Sequence, residues 1–303
     1  MRNINKTLGL WMAICLLSTS LAAQTISFTF DDGITYDRPG YTFETWNGML
    51  LAKLKKANVK AMFFVRGKGL DNDKGMKLLK SWNDAGHGLA NHTFSHPNYS
   101  SSKVTIEQFK QEFFKNNRLI KGYSNFKKYF RFPYLKEGNT PEKVQAFRQF
   151  LKDQGHKNGY VTIDASDWYV DHRLLKRLRQ KKFGDVQKYR EFYLNHIWER
   201  AQFYENLAFK MTGRHIKHTL LLHHNLCSAL FIDDLMAMFK KKGWKIVSPM
   251  EAFKDPIYDQ IPQYAGESLI YALARDSAKF KHLIRYPAED SQYEKAKMDK
   301  LGL

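Results

Sequence analysis

The chain has 303 residues, of which 43% are hydrophobic and 15% aromatic, and it carries a formal net charge of +19. Its apolar content is enough for a large core and excludes an intrinsically disordered protein. The surplus of lysine and arginine favours anionic partners such as acidic polysaccharides or anionic lipids. No nucleic-acid-binding motif accompanies the charge, so nucleic acid is not expected as a partner.

The first predicted element is a targeting segment at residues 1–23. Arg2 and Lys6 precede an apolar stretch that ends in small residues around Ala22. This order is typical of a secretory signal peptide. The alternative is a retained membrane anchor, but the apolar stretch is shorter than the ~20 residues that a span needs. We therefore predict an exported protein, periplasmic or secreted, without a transmembrane span once the signal is cleaved.

The rest of the chain alternates between apolar strand patterns and amphipathic helix patterns. Strands are predicted at 25–30, 60–65, 87–92, 129–130, 159–164, 218–225 and 244–249. Helices are predicted at 44–59, 74–86, 104–123, 140–155, 185–213 and 229–243. Such alternation predicts a parallel α/β core. No linker-like segment divides the chain, so we predict one domain at 24–255, with a C-terminal extension of the same domain at 256–303.

The two cysteines suggest a fold without disulfides. Cleavage of the signal would remove Cys15 and leave Cys227 alone, so no internal bridge is expected. Cys227 follows apolar residues and is predicted to be a buried small residue, not a nucleophile.

Polar clusters follow several predicted strands, and in a parallel α/β barrel such positions meet at one face. Asp31 and Asp32 end the first strand. Consecutive strand residues point to opposite faces, so the pair is either a plain turn or two acids with different roles. His92 and His96 follow the third strand, and a four-residue spacing on a helical turn would suit two imidazoles that bind one metal. The alternative is two solvent-facing histidines in a loop.

Five short motifs then occur in order. They are TFDDG at 29–33, HTFSHP at 92–97, RFPY at 131–134, DASDW at 164–168 and LLLHH at 220–224. Together they resemble the five motifs of the polysaccharide deacetylase family, carbohydrate esterase family 4, also called the NodB homology domain. The resemblance spans residues 25–253. It implies a distorted (β/α)7 barrel and metal-dependent removal of acetyl groups from a polysaccharide.

The resemblance also implies roles for the first three motifs. Asp32, His92 and His96 would bind a divalent metal, with zinc favoured and cobalt or nickel as alternatives. Asp31 would be the general base that activates the attacking water. Arg131 would orient that base.

The remaining motifs would supply the substrate pocket and the acid. The backbone N–H of Tyr134 would stabilise the oxyanion, and Trp168 and Leu221 would line the acetyl pocket. His223 would be the general acid that protonates the leaving group, and Asp167 would tether it.

Three departures from the family pattern stand out. His224 occupies the position where the family often has Asp, which leaves open which histidine is the acid. We favour His223 because of its spacing from Leu221, and His224 would then face away and pack or hydrogen-bond. Gly88 stands where relatives usually carry an acid, and residues 169–215 are interpreted as a basic helical insertion.

The acetylated substrate is predicted to be an N-acetyl glycan of a cell envelope, such as peptidoglycan or a chitin-type polymer. Two alternatives stay open. One is an O-acetyl esterase of the acetylxylan type, which would use the same site. The other is a catalytically silent carbohydrate-binding protein.

Overall fold

The computed structural model describes residues 23–285 and 291–303, and the predicted signal peptide therefore lies outside the described residues except for its last residue. The strands are β1 Thr25–Asp32, β2 Met62–Val65, β3 Gly88–Asn91, β4 Phe126–Phe130, β5 Lys157–Asn158, β6 Lys217–His223 and β7 Lys245–Ile246. The helices are α1 Phe43–Lys56, α2 Asp73–Asp84, α3 Ile106–Ile120, α4 Pro141–Asp153, α5 Asp167–Arg179, α6 Val186–Thr212, α7 Leu226–Lys241, α8 Pro249–Ala252, α9 Leu269–Asp276 and α10 Gln292–Lys300.

The seven strands form one parallel sheet in the order β5-β4-β3-β2-β1-β6, and β7 pairs with the first residues of β1. Helices cover the sheet, which curls into an incomplete barrel. This confirms the predicted distorted (β/α)7 barrel and its single domain. Because all strands run the same way, their carboxyl ends lie along one edge, and that edge carries the polar motifs.

Strand β1 lies inside the sheet, between β2 and β6. Its apolar residues Ile26, Phe28 and Phe30 are fully buried, and its polar residues Ser27 and Thr29 are also buried. The two hydroxyls donate to carbonyls of β6 at 3.0 and 2.8 Å. A strand buried on both faces thus satisfies its polar side chains through its neighbour.

The predicted strand at 159–164 is wrong in extent. Regular pairing ends at Asn158, and only Ile163 forms an isolated bridge, with Leu220 of β6. At Gly159 a Cβ atom would lie 2.4 Å from the Phe64 ring, so the backbone passes too close to β2 for an ordinary side chain. The irregular segment 159–166 fills the gap between β5 and β6.

The interpretation of residues 169–215 as an insertion is also wrong in structural terms. Helices α5 and α6 pack into the main core, and α6 buries Tyr193, Ile197 and Tyr204 almost completely. Helix α6 ends at Gly213 in the left-handed conformation, with φ of 72°. The segment is a layer of the barrel, and its lysines lie on the outer face, whereas Arg200 is fully buried.

The C-terminal part packs on the same core. The N–H of Leu269, at the start of α9, donates to the carbonyl of Val161 at 2.8 Å, and the first four residues of α9 are buried. Cys227 is buried and free, in agreement with the sequence prediction, and burial raises the pKa of its thiol well above the ordinary value. Within the described part of the chain, no helix is long and apolar enough to cross a membrane.

Candidate active site

A cleft of about 460 Å³ opens at the carboxyl ends of the strands. It is lined by Asp31, Asp32, His92, His96, Tyr134, Leu135, Trp168, Leu221 and His223. Eight of these were predicted from the motifs, and the ninth is Leu135. The other two predicted residues, Arg131 and Asp167, contact Asp31 and His223 respectively. All ten predicted positions therefore come together.

Asp32, His92 and His96 offer one ligand atom each, and these atoms lie within 4.8 Å of one another. The helical turn predicted for the two histidines is wrong, because β3 ends at Asn91 and a loop follows. Thr93 and His96 adopt φ of 65° and 63°, and the Thr93 hydroxyl accepts a hydrogen bond from the His96 N–H at 3.1 Å. A tight turn, not helical periodicity, brings the imidazoles together.

The chemistry of this set fits a divalent metal ion. The Nδ1–H of His92 donates to the carbonyl of Arg131 at 2.8 Å, which leaves the Nε2 lone pair free for a cation. Burial lowers the pKa of His92 and of His96, which favours neutral imidazoles that could each offer a lone pair to a metal. Oδ1 of Asp32 is buried and has no hydrogen-bond partner among the described residues. Two neutral imidazoles and one carboxylate are a ligand set typical of catalytic zinc.

Asp32 differs from its neighbour in conformation and in the direction in which its pKa is shifted. Its φ of 76° turns the chain out of the strand, which separates its side chain from that of Asp31. Burial alone would raise the pKa of Asp32, but the charges of His223 and Arg66 outweigh that effect and lower it. The lowered pKa favours the carboxylate anion of Asp32.

Asp31 is 3% exposed and forms an ion pair with Arg131. Arg131 is held in turn by the Thr29 hydroxyl at 3.0 Å and the Gly159 carbonyl at 2.9 Å, and its guanidinium lies 3.7 Å from the centre of the Phe64 ring. Burial raises the pKa of Asp31 even though Arg131 opposes the shift. A carboxylate with a raised pKa is better suited to accept a proton.

On the other wall, the Nδ1–H of His223 donates to Asp167 at 2.7 Å. The backbone N–H of His223 and the side chain of Asn225 also donate to Asp167, at 2.9 and 3.0 Å. Burial would lower the pKa of His223, but Asp167 outweighs it and raises that pKa to about 10. His223 is thus a protonated imidazole beside the cleft.

His224 faces the opposite way and is fully buried. Its Nδ1 accepts from the Ile34 N–H at 3.0 Å, and its Nε2–H donates to Asn47 at 3.1 Å. Its ring packs against Trp46 and Trp82 at centroid distances of 4.4 and 4.8 Å. With both nitrogens engaged and no access to the cleft, His224 is a core residue.

Tyr134 and Leu135 form an unusual turn beside the metal-site candidate. Both have φ of 56°, in the left-handed region that residues with a Cβ rarely adopt. The Tyr134 ring lies 4.6 Å from the His96 ring, measured between centroids. In the described part of the chain the Tyr134 N–H has no acceptor, whereas the N–H groups of Leu135 and Lys136 bond back to Phe132 and Pro133.

Sequence reasoning missed two residues here. Leu135 directly follows the third motif, and an apolar residue next to Tyr134 was the available signal. Arg66 places Nε 3.6 Å from Oδ1 of Asp32. It directly follows the buried strand β2, so the rule that active-site residues follow parallel strands could have found it.

A curled parallel α/β sheet with an Asp-His-His set at its carboxyl edge, flanked by an Asp–Arg pair and a His–Asp pair, defines an α/β protein with a single-metal-site candidate. Residues 19–159 match the family model described as polysaccharide deacetylase. Over these residues, slightly less than half of the chain, the protein is similar to the polysaccharide deacetylase family.

Two characterised relatives are similar in sequence. The chain is 33% identical over 144 residues to a peptidoglycan-N-acetylglucosamine deacetylase of Bacillus cereus, a match that covers 47% of this chain and 46% of that protein. It is 26% identical over 226 residues to the peptidoglycan-N-acetylmuramic acid deacetylase PdaA of Bacillus subtilis, covering 74% of this chain and 70% of that protein. The chain thus spans about half the length of the first relative.

Solved structures share the fold. One is a mutant of BA3943, described as a pseudoenzyme of carbohydrate esterase family 4 with restored enzymatic activity, whose wild type is from Bacillus anthracis. The TM-score to this mutant is 0.52 at 21% identity, covering 76% of this chain and 68% of the other. At this identity the likeness describes the fold alone.

Proposed function

We propose that the chain is an exported, metal-dependent deacetylase that hydrolyses N-acetyl groups of a polysaccharide and releases acetate. The observation that carries the proposal is the meeting of three groups in one cleft. These are the Asp32-His92-His96 set, the Asp31–Arg131 pair and the His223–Asp167 pair. The signal-peptide pattern of residues 1–23 supports export.

Asp32, His92 and His96 would hold the metal ion, which we propose to be zinc. When bound, it would supply Lewis acidity, polarising the acetyl carbonyl and lowering the pKa of a water in the cleft.

The chain's own residues would carry the protons. Asp31 would accept a proton from the attacking water, with Arg131 fixing the orientation of its carboxylate. His223 would donate a proton to the leaving nitrogen, and the Asp167 carboxylate keeps it charged for that step. The Tyr134 N–H would donate to the developing oxyanion. Leu221 and Trp168 would bound a small apolar pocket for the acetyl methyl.

The substrate proposal draws on the relatives. Both are named as deacetylases of peptidoglycan, one for N-acetylglucosamine and one for N-acetylmuramic acid. A polymer of N-acetylated sugars of this type is therefore the first substrate to test. The measurement is acetate release by the zinc-loaded protein from peptidoglycan, chitin oligomers and acetylated xylan. Release from xylan alone would replace the proposal with an O-acetyl esterase, and release from none would favour a silent binding protein.

The first prediction separates the two adjacent aspartates. Asp32→Asn exchanges an anionic ligand for a weaker neutral one, so metal affinity should fall and excess zinc should restore part of the activity. Asp31→Asn keeps the ligand set but cannot accept a proton, so metal should stay bound while turnover drops by ~10²–10⁴. The measurement is bound zinc per protein and acetate release across a zinc series.

The two variants serve as controls for each other, because each replaces one carboxylate oxygen by an amide nitrogen at the same strand end. Equal loss of metal from both, or rescue of Asp31→Asn by zinc, would refute the division of roles.

A further inference from the structure

The turn that carries Tyr134 is connected to the C-terminal part of the chain, which lies beyond the residues that match the family model. We define the oxyanion turn as residues 133–137 and the brace as residues 262–267. We propose that the brace holds the oxyanion turn in its left-handed conformation, and that Glu267 and Arg148 are positioning residues for catalysis. This inference rests on the proposed function of Tyr134.

The turn needs outside support. Two consecutive non-glycine residues, Tyr134 and Leu135, have φ of 56°, and such conformations persist only where surrounding contacts determine them. Within the turn there are only two short-range hydrogen bonds, Leu135 N–H to Phe132 and Lys136 N–H to Pro133, both at 3.0 Å. These bonds close the turn but do not attach it to the barrel.

The first attachment follows the strained residues immediately. Lys136 forms an ion pair with Glu267, whose side chain is 3% exposed. Glu267 itself has φ of 60°, and its second carboxylate oxygen is buried without a hydrogen-bond partner among the described residues. A buried carboxylate held this way is costly unless its charge partner stays in place, so the pair resists movement of the turn.

The second attachment lies one residue further on. Glu137 is 3% exposed and accepts from Arg148 through Nε at 2.9 Å and Nη2 at 2.7 Å. Nη1 of the same Arg148 donates to the carbonyl of Pro262 at 2.9 Å. One guanidinium therefore ties the turn, helix α4 and the brace together.

Backbone packing completes the arrangement. Gly266 has φ of 143°, and a Cβ atom there would lie 3.5 Å from the carbonyl oxygen of Leu135. The brace continues into α9, whose first N–H bonds to Val161. These contacts attach the turn to the barrel, and the direction of the Tyr134 N–H therefore depends on residues 262–267.

The test compares two isosteric substitutions. Glu267→Gln removes the charge in the brace. Asp255→Asn removes the charge of an equally buried carboxylate, 4% exposed, which pairs with Arg214 at the amino end of β6, away from the cleft. Both changes should lower thermal stability. Only Glu267→Gln should lower kcat, by about tenfold or more, because removing an oxyanion donor altogether costs ~10²–10³.

The readouts distinguish positioning from stability. For Glu267→Gln we expect KM within about twofold and bound zinc unchanged, since the substrate pocket and the ligands are untouched. Hydrogen–deuterium exchange of the 134–136 amides should be faster than in the parent and in Asp255→Asn. The charge-swapped double variant Lys136→Glu with Glu267→Lys should recover slow exchange and most of kcat.

The proposal that the brace holds the oxyanion turn would be refuted if the 134–136 amides exchanged no faster in Glu267→Gln. It would also be refuted if Glu267→Gln and Asp255→Asn lost kcat equally. If Glu267→Gln fails to fold, Arg148→Lys gives the same test, because it keeps the charge and loses the fork that reaches both Glu137 and Pro262. If the parent protein releases no acetate from any substrate, the proposed function fails. The exchange measurement still tests whether the brace holds the turn, because it does not depend on activity.

Discussion

Strand β6 carries a histidine bonded to a carboxylate near each of its ends, and the two pairs use their hydrogen-bonding capacity differently. At the amino end, His218 bonds to Glu205 at 2.7 Å through Nε2 and to Thr162 at 3.0 Å through Nδ1. At the carboxyl end, His223 bonds to Asp167 through Nδ1 at 2.7 Å, and its ring lines the cleft. Both ring nitrogens of His218 are hydrogen-bonded, whereas His223 bonds to Asp167 through one nitrogen and its ring lines the cleft.

The two ends of β6 also differ in whether a neighbouring carboxylate oxygen lacks a hydrogen bond, although Asp167 itself is fully bonded. Glu205 accepts from His218 and from His215 on its two oxygens, and the His218 ring packs 5.7 Å from the Trp244 ring, measured between centroids. At the cleft, Oδ1 of Asp32 is buried without a hydrogen-bond partner among the described residues. A satisfied network stabilises the fold, whereas a buried polar atom without a partner indicates a ligand. Residue type alone would not separate the two ends.

The largest effect should come from removing each β6 histidine in turn. His223→Ala should lower kcat by ~10²–10⁴, because the leaving group loses its proton donor, and bound zinc should not change. His218→Ala should instead leave kcat per folded molecule unchanged and cost about 1–3 kcal/mol of stability, because Glu205 loses a buried partner. Acetate release, metal analysis and thermal unfolding of both variants check this. Similar losses of kcat would remove the distinction between the two ends.

A smaller effect is expected at the tether of the acid. Asp167→Asn removes the charge that raises the pKa of His223 to about 10. Loss of a partner behind a functional imidazole typically costs ~10–100-fold in activity. Because the acid must be protonated, activity falls as pH rises through its pKa, so the alkaline limb of the pH–rate profile should move to lower pH. If the pH of the alkaline limb does not change, that limb reports the titration of a group other than His223.

The smallest effect concerns stability at the amino ends of the strands. His87 precedes β3, is 2% exposed, and accepts from the Ala61 N–H at 3.1 Å, and burial lowers its pKa to about 4. The unfolded chain therefore binds this proton first, so the stability that neutral His87 contributes is present above about pH 6.5 and is lost as pH falls toward 4. Between pH 7 and 5 the loss should be about 2 kcal/mol.

His87→Gln keeps an acceptor for Ala61 but does not titrate in this range. Denaturant unfolding of both proteins at pH 7 and pH 5 gives the comparison. An equally steep pH dependence in His87→Gln would show that other groups cause the acid sensitivity.

Much of the fold and of the candidate site could be predicted from the sequence, because the strand alternation and the five ordered motifs are local patterns. The predicted strand at 159–164 failed because the approach of Gly159 to Phe64 is a tertiary contact. The helical turn predicted for His92 and His96 failed because spacing does not report a left-handed φ at Thr93. Residues 169–215 were interpreted as an insertion because many basic residues in this segment obscure, in the sequence, the pattern of the residues that α6 buries.

The attachments of the oxyanion turn were not predictable in the same way. Lys136 and Glu267 are separated by 131 positions, and Arg148 and Pro262 by 114. Neither pair belongs to a motif, and a lysine or glutamate outside a motif is expected to be exposed to solvent. Only the folded arrangement identifies these residues as neighbours of Tyr134.

The position of β1 between β2 and β6 has a consequence for how the chain folds during synthesis. Residues 25–31 pair along their whole length with β6, and the hydroxyl of Thr29 reaches a carbonyl 191 positions later. Among the strands of the described residues, β1 is made before the others and β6 is made sixth, so the edge of β1 that pairs with β6 stays open until then. Such long-range pairing slows folding and leaves an apolar strand edge exposed to other chains meanwhile. A fragment that stops at residue 159 would keep that edge open permanently, so it should aggregate when produced alone.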